Sequence, residues 1–372
     1  MRIAIVTHSV VRGDGQGRVG YEIAKEALLR GHKVTLLADR VGEELQNLGA
    51  RWVPVHPRFQ RPMLWKIKGF TAAADHCLDR MRKEFDVVQG FGFVLTRPHE
   101  VSGAQFVHSA WSKSPDHIAR GRYDAWARYQ WLYSGCNAQW ERIAFSQAKR
   151  VVACSQRVRC ELMEAGVPEK RIQVILNAVD IDEFHPGYAD RATLGLPTDV
   201  PLAVFVGDIR TNRKNLDAVL HGLTFCPGVH LAVVGKTDSS PFPALAEKLG
   251  LQDRVHFLGF RKDVADIMRA SDLYVFPSTY EPFGIVVLEA LATGTPVITA
   301  STVGAAELVS EECGIVLSDP NDARALGDAL GSLMYDGERR KRMSVVARTV
   351  AENHTWKQMA AAYLTLYEEV AA

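Results

Sequence analysis

The chain has 372 residues, with 44 Lys+Arg against 43 Asp+Glu. That length is long for one core and predicts two domains, and the balanced charge leaves no global field that would draw the protein to nucleic acid. Six cysteines (Cys77, Cys136, Cys154, Cys160, Cys226, Cys313) form no CxxC and no metal-ligand spacing, which reads as ordinary buried thiols in a reducing compartment.

Met1-Arg2 leads straight into Ile3-Ala-Ile-Val-Thr7. This continuous apolar run fits a parallel strand buried on both faces, and it is too short for a signal-peptide core. No run reaches membrane-spanning length, so the chain reads as cytoplasmic and soluble. A polar loop follows, then Gly15-Gln16-Gly17-Arg-Val-Gly20 opening a helix that runs to Arg30, then a strand at Val34–Asp39. The glycines form a literal GxGxxG with an acid at the end of strand two, the dinucleotide fingerprint. However, about seven residues separate Gly15 from the first strand, where that fingerprint wants its first glycine at the strand end. The spacing suits a phosphate approached by backbone at a helix N-terminus. An NAD(P)-dependent oxidoreductase stays as the rival reading.

Further strands are predicted at Trp52–Val55, Asp86–Gln89 and around Ala104–His108. His108 closes an apolar run at the edge where open α/β sheets present ligand-facing side chains; a histidine simply satisfied at a strand end is the other reading. Residues 58–70 and 117–140 mix cations with aromatics. They read either as core aromatics or as an interfacial surface for anionic headgroups, and no nucleic-acid module is visible. Asp180 and Asp182 form a DxD on a polar connection with no third acidic ligand, so no metal site is expected there.

The β/α alternation restarts at Leu202–Val206, placing a domain boundary near residues 182–200. Gly207 ends that strand, and the loop to Asn215 carries Arg210, Arg213 and Lys214, cations suited to a leaving diphosphate. After Leu273–Pro277 comes the stretch Ser278–Pro296, STYEPFGIVVLEALATGTP. Glu281 precedes a proline and so belongs to the turn. The helix after it is apolar nearly all round and should be buried, yet it carries Glu289, a carboxylate that needs hydrogen-bond donors such as ligand hydroxyls. The amides of Phe283, Gly284 and Ile285 at the helix start offer an anion cradle. A nucleotide sugar has the matching diphosphate, sugar and ribose groups, and a non-catalytic protein that binds a nucleotide sugar stays beside the oxidoreductase as an alternative reading.

Glu281-Pro-Phe-Gly-Ile-Val-Val-Leu-Glu289, preceded by a strand and followed by Gly-Thr-Pro-Val, resembles the Glu-x7-Glu motif of the retaining glycosyltransferases of family 4, and the likeness extends over essentially the whole chain. The resemblance implies an α/β protein of the GT-B fold, two Rossmann-like doubly wound domains facing across a cleft. The expected division is an acceptor-binding domain at 1–182, a nucleotide-sugar-binding domain at 183–354, and a C-terminal helix at 355–372 packing back on the first. It further implies a metal-independent hexosyltransferase that needs no cofactor, uses a nucleotide diphosphate sugar (a UDP-sugar favoured) and acts on a glycan or glycolipid acceptor. By the same resemblance the catalytic set is His108, Glu281, Lys214, Arg210 and Arg213, and the donor-binding set is Gly15, Gln16, Gly17, Gly207, Arg261, Phe283, Gly284, Ile285 and Glu289. The family usually has arginine directly after the strand glycine; here Asp208 stands there, with Arg210 or Arg213 left to replace it. The basic aromatic stretch after His108 looks most like that of lipopolysaccharide-core glucosyltransferases, which implies peripheral work at the inner face of a membrane.

Overall fold

The computed structural model describes residues 1–13 and 15–372; the side chain of Gln16 also lies outside the described residues. Contacts divide the chain into two units, Met1–Asn177 with Trp356–Ala372, and Ala178–Thr355. The exchange at Asn177 comes a few residues before the sequence-predicted boundary.

In the first unit the strands are β1 (Arg2–Val6), β2 (Ser9–Val10), β3 (Lys33–Ala38), β4 (Arg40–Val41), β5 (Arg51–Pro54), β6 (Val87–Phe91), β7 (His99–Ala104), β8 (Ala148–Ala153) and β9 (Ile172–Val174). Seven form one parallel sheet in the order β5-β3-β1-β6-β7-β8-β9, and β2 pairs with β4 apart from it. The order reverses direction at β1/β6, as in a Rossmann fold. β1 from Ile3 onward and β6 are buried on both faces; β1 accordingly reads as an apolar run, whereas β6 carries one polar side chain, Gln89, which accepts a hydrogen bond from Tyr367 Oη.

The strand expected around Ala104–His108 ends earlier than its apolar letters suggest. β7 is His99–Ala104, with polar Ser102 and a glycine at 103. A Cβ at Gly103 would lie 2.6 Å from the Phe91 ring, so the glycine makes room for a neighbour's aromatic side chain. Packing here outweighs β-propensity. His108 consequently starts the short helix His108–Lys113 rather than closing a strand.

The helix Trp356–Ala371 belongs to this unit: Tyr367 Oη donates to Gln89 Oε1 at 3.1 Å, and Lys149 Nζ donates to the Val370 carbonyl at 3.2 Å. Cysteine burial is mixed, against the expectation that all six are buried: Cys160 is exposed and Cys77 and Cys136 are half-buried. Cys160 lies on the amphipathic helix Gln156–Glu164, whose buried residues are Val158, Glu161 and Leu162.

The second unit holds β10 (Leu202–Val206), β11 (His230–Val234), β12 (Val255–Gly259), β13 (Leu273–Phe276), β14 (Val297–Ala300) and β15 (Gly314–Leu317). They make one parallel sheet in the order β12-β11-β10-β13-β14-β15. The reversal here falls between β10 and β13. Arg348 ties the entry segment to the sheet's helices, donating from one nitrogen to the carbonyls of Ile181, Phe184 and Ala292 at 3.3, 3.0 and 3.0 Å. Ala292 ends the helix Ile285–Ala292, so one guanidinium caps a helix C-terminus that would otherwise keep orphan acceptors.

Candidate active site

In an open α/β sheet the ligand site lies beyond the carboxyl ends of the strands at the point where strand order reverses. In the second unit that rule selects the loops after β10 and β13, and these loops are sewn together. Thr279 N donates to the Arg213 carbonyl at 3.0 Å and Ser278 Oγ to the same oxygen at 2.9 Å. Thr302 Oγ1 donates to the Ser278 carbonyl at 2.6 Å. From the loop after β14, Gly304 N reaches the Glu281 carbonyl at 2.9 Å and Ala305 N the Phe283 carbonyl at 2.7 Å.

The result brings Lys214, Arg213 and Glu281 to one point. Lys214 Nζ and Glu281 Oε2 form a short ion pair, and Arg213 Nη1 lies 3.7 Å from the same oxygen while donating to the Tyr280 carbonyl at 3.1 Å. Lys214 is largely buried, its ammonium 5.1 Å from the Phe276 ring centre. Burial pushes its pKa below the ordinary lysine value; the Glu281 carboxylate opposes that shift and Arg213 reinforces it. Gly207 leaves room for the stem, since a Cβ there would meet Lys214 Cγ at 3.3 Å.

Arg210 does not join this group. It is exposed and bound to Asp208, with contacts of 2.9 and 2.7 Å. The Arg210 side chain holds the Asp208 carboxyl down to about 2. Of the two arginines offered in place of the missing one, Arg213 is the one beside Glu281, because a sequence-adjacent carboxylate captures Arg210 at short range. Arg261, at the end of β12, is likewise engaged by Asp263 and by the Leu194 carbonyl.

Gly284 adopts the left-handed conformation at φ +93° and begins the helix Ile285–Ala292. A side chain there would be strained and would press Val303 and Glu281, at 3.0 and 3.2 Å from an added Cβ. The helix start is thus fixed by glycine, with its first amides lacking intrahelical acceptors. The helix is buried at Val287, Leu288, Ala290, Leu291 and Ala292. Its remaining positions, Ile285, Val286 and Glu289, are half-buried. Glu289 lies one turn below Ile285, on the same face. The Tyr274 hydroxyl in β13 is pushed well up, first by burial and then by the charges of Glu289 and Glu281.

In the first unit, Gly15 and Gly17 lie in the first turn of the helix Gly15–Leu29. A Cβ at Gly15 meets nothing, whereas one at Gly20 would touch Phe91, Thr7 and Ile5 at 3.6 to 3.9 Å. Gly20 therefore serves helix–sheet packing. β2 stands between β1 and this helix, so the tight strand–glycine turn of the dinucleotide fingerprint is not formed. The acid of that fingerprint, Asp39, is 2.6 Å from His56 Nδ1. The DxD acid Asp180 accepts from the amides of Asp182 and Glu183 in a local turn. Among the described residues no group of three metal-ligating side chains occurs.

His108 is held by a residue the sequence reading missed. Glu141, buried in the long helix Ala125–Gln147, places Oε1 2.6 Å from His108 Nδ1 and accepts from the His108 amide with Oε2 at 2.9 Å. The basic aromatic stretches divide. Trp111 and His117 are buried, and His117 stacks on Trp131 at 4.1 Å. Phe59, Trp65, Tyr123, Trp126 and Leu132 are exposed. Arg122 sits over Trp126 at 4.8 Å, and Lys68 over Trp140 at 5.5 Å, linking the two stretches. No helix among the described residues is long and apolar enough to cross a membrane.

Solved structures share this pair of sheets over nearly their full length. WaaG, a glycosyltransferase involved in lipopolysaccharide biosynthesis, aligns with a TM-score of 0.77 at 22% identity, covering 97% of this chain and 98% of that one. Anabaena Alr3699/HepE, solved in complex with UDP-glucose, aligns at 0.71 and 22% identity, covering 98% and 99%. The fold is therefore GT-B, built of two Rossmann-like domains.

Residues 13–183 match the family model Glycosyltransferase Family 4, and residues 189–350 match Glycosyl transferases group 1. The chain belongs to the family 4 glycosyltransferases. D-inositol 3-phosphate glycosyltransferase of Xylanimonas cellulosilytica is 36% identical over 220 residues, which is 55% of this chain and 52% of that protein. The chain thus spans about half the length of the curated relatives it matches.

Proposed function

We propose that the protein is a retaining hexosyltransferase that moves a hexose from a nucleotide diphosphate sugar, a UDP-sugar favoured, to a glycan or lipid-linked acceptor. The observation that carries this reading is the convergence of Lys214, Arg213 and Glu281 beside the Gly284 helix start at the switch point of the second sheet. Two cations and a set of helix-terminal amides suit charge growing on a leaving diphosphate, a preorganised electrostatic effect. Lys214 exchanges Glu281 for phosphate oxygens when the donor binds, and Glu281 turns to the donor sugar. Glu289, half-buried one turn deeper, takes the ribose hydroxyls. Gly15, Gln16 and Gly17 meet the diphosphate by backbone, Gly207 and Arg261 line the nucleotide, and His108 meets the donor sugar.

The acceptor hydroxyl attacks the anomeric carbon on the face the diphosphate leaves. The carbon–phosphate-oxygen bond breaks, and a phosphate oxygen takes the acceptor proton. No protein nucleophile, metal or cofactor is needed in this scheme. The test is a panel of UDP-, GDP- and ADP-hexoses beside NAD(P), with glycan, glycolipid and inositol phosphate acceptors. We expect acceptor-dependent release of nucleoside diphosphate, retained anomeric configuration by NMR, and rates unaffected by EDTA. An inverted product refutes retention, loss of rate in EDTA refutes metal independence, and binding of NAD(P) alone refutes the donor class.

For the acceptor, two kinds of support differ. The exposed cations and aromatics of residues 58–70 and 117–140 favour a lipid-linked acceptor at an anionic membrane surface, with the protein peripheral on its cytoplasmic face. The relatives' name, D-inositol 3-phosphate glycosyltransferase, favours a soluble inositol phosphate. Cosedimentation with anionic vesicles, weakened by Trp65→Ala with Trp126→Ala, supports the first; turnover only with inositol phosphates supports the second.

A further inference from the structure

We propose that Glu141 is a positioning residue, which fixes the ring orientation and tautomer of His108 so that Nε2 is the nitrogen presented to a sugar hydroxyl. Glu141 is 5% exposed in a helix of 23 residues, and a buried carboxylate without partners is costly. Both of its oxygens are spent on one residue: Oε2 takes the His108 amide at 2.9 Å and Oε1 meets Nδ1 at 2.6 Å. This double grip sets the backbone at the start of the helix His108–Lys113 and the ring together. The imidazole is further boxed by Phe106 and Tyr133, edge-on at 4.8 and 5.8 Å between ring centres.

An ionised carboxylate only accepts, so Nδ1 must carry the proton in this contact. The neutral ring then offers Nε2 as an acceptor, which suits a hydroxyl that donates. The same helix also holds a buried histidine through a hydroxyl: His117 Nε2 lies 2.9 Å from Ser134 Oγ. Ser134, Asn137 and Glu141 are buried at helical spacing, so the long helix carries a polar stripe under the segment that follows β7. Around metal-binding histidines, removing the neighbour that holds the far nitrogen costs ~10–100-fold in affinity or activity, and a loss of the same order is expected here.

The identity of the hydroxyl rests on the glycosyltransferase reading; the tautomer does not. The experiment uses full-length protein labelled with 15N-histidine, comparing wild type with the near-isosteric Glu141→Gln and with Glu141→Ala at alkaline pH. We expect the Nδ1–H form of His108 in wild type and a mixed or Nε2–H population in both variants. Turnover should fall ~10–100-fold with the donor KM within ~3-fold, and Glu141→Gln should cause no further loss in a His108→Ala background. An Nε2–H ring in wild type overturns the proposal, as does an unchanged tautomer in Glu141→Gln. An equal loss from Glu141→Gln with and without His108 also overturns it, since that marks a role through the fold. Should wild type transfer no sugar at all, the nitrogen spectra still decide the proposal, and the glycosyltransferase reading alone falls.

Discussion

Replacing Gly304 by alanine tests how the candidate site is held together. An added Cβ would run into the Pro282 carbonyl, 2.8 Å from its carbon and 2.9 Å from Phe283 Cα. The carbonyl oxygen is the nearest atom of all, so relieving it moves the turn by more than the ~0.7 Å that an ordinary carbon–carbon separation of ~3.5 Å would require. Neither side is free to yield. Gly304 N is bonded to the Glu281 carbonyl at 2.9 Å and Ala305 N to the Phe283 carbonyl at 2.7 Å. Overpacking costs ~1–3 kcal/mol and each of the two weakened hydrogen bonds ~1 kcal/mol, so about 3–5 kcal/mol is expected. For a unit of this size that is a fall in Tm of roughly 6–20 °C. Displacing Glu281 and the helix start together should lower turnover by ~10-fold or more. The control is Gly135→Ala, in a helix where the added Cβ meets nothing within 4 Å; it should be neutral or stabilising by up to ~1 kcal/mol. Thermal melts and initial rates on the two variants decide the matter. A Gly304→Ala protein melting with wild type at wild-type turnover would refute the reasoning.

Glu281→Gln leaves Lys214 buried beside Arg213 with no carboxylate, and we expect destabilisation of about 3 kcal/mol with turnover down at least ~10²-fold, read by denaturant titration and initial rates. Equal stability would mean that the pair is dispensable to the fold. Glu289→Ala should weaken nucleotide-sugar binding at least ~10-fold, about 1.4 kcal/mol, with little change in Tm, by calorimetric titration. Five histidines, His32, His99, His117, His230 and His256, have pKa values lowered chiefly by burial, which disfavours the charged ring. Folded protein then binds fewer protons than unfolded, so their contribution is complete above ~6.5 and is lost as pH falls through the lower folded values. Melts from pH 7.5 to 5 should show Tm falling with acid, less steeply in His99→Gln; a Tm that rises on acidification over that range contradicts this assignment.

How much of this was legible in the sequence depends on the range of the interaction. The buried strands announced themselves, because a strand covered on both faces has to be apolar throughout, as in β1, β10 and β13. The turn at Glu281-Pro-Phe-Gly was legible because proline and a left-handed glycine constrain the backbone locally. What could not be read was pairing. Nothing in Arg-Thr-Asn-Arg-Lys tells that Arg210 turns back to Asp208 while Lys214 reaches Glu281, a residue far along the chain. β7 was misplaced because Gly103 answers to Phe91, a partner on another strand. Glu141 gave no signal at all, being one more charged letter in an aromatic helix, and only the fold brings it under His108.

The account stands on the second unit's switch point as a nucleotide-sugar site, and calorimetric titration of wild type and Glu289→Ala with UDP-glucose tests it most directly. The account predicts saturable binding by wild type that weakens at least ~10-fold in the variant. Binding that is equally tight in both would contradict it, as would a wild-type protein that takes up NAD(P) but no UDP-, GDP- or ADP-sugar.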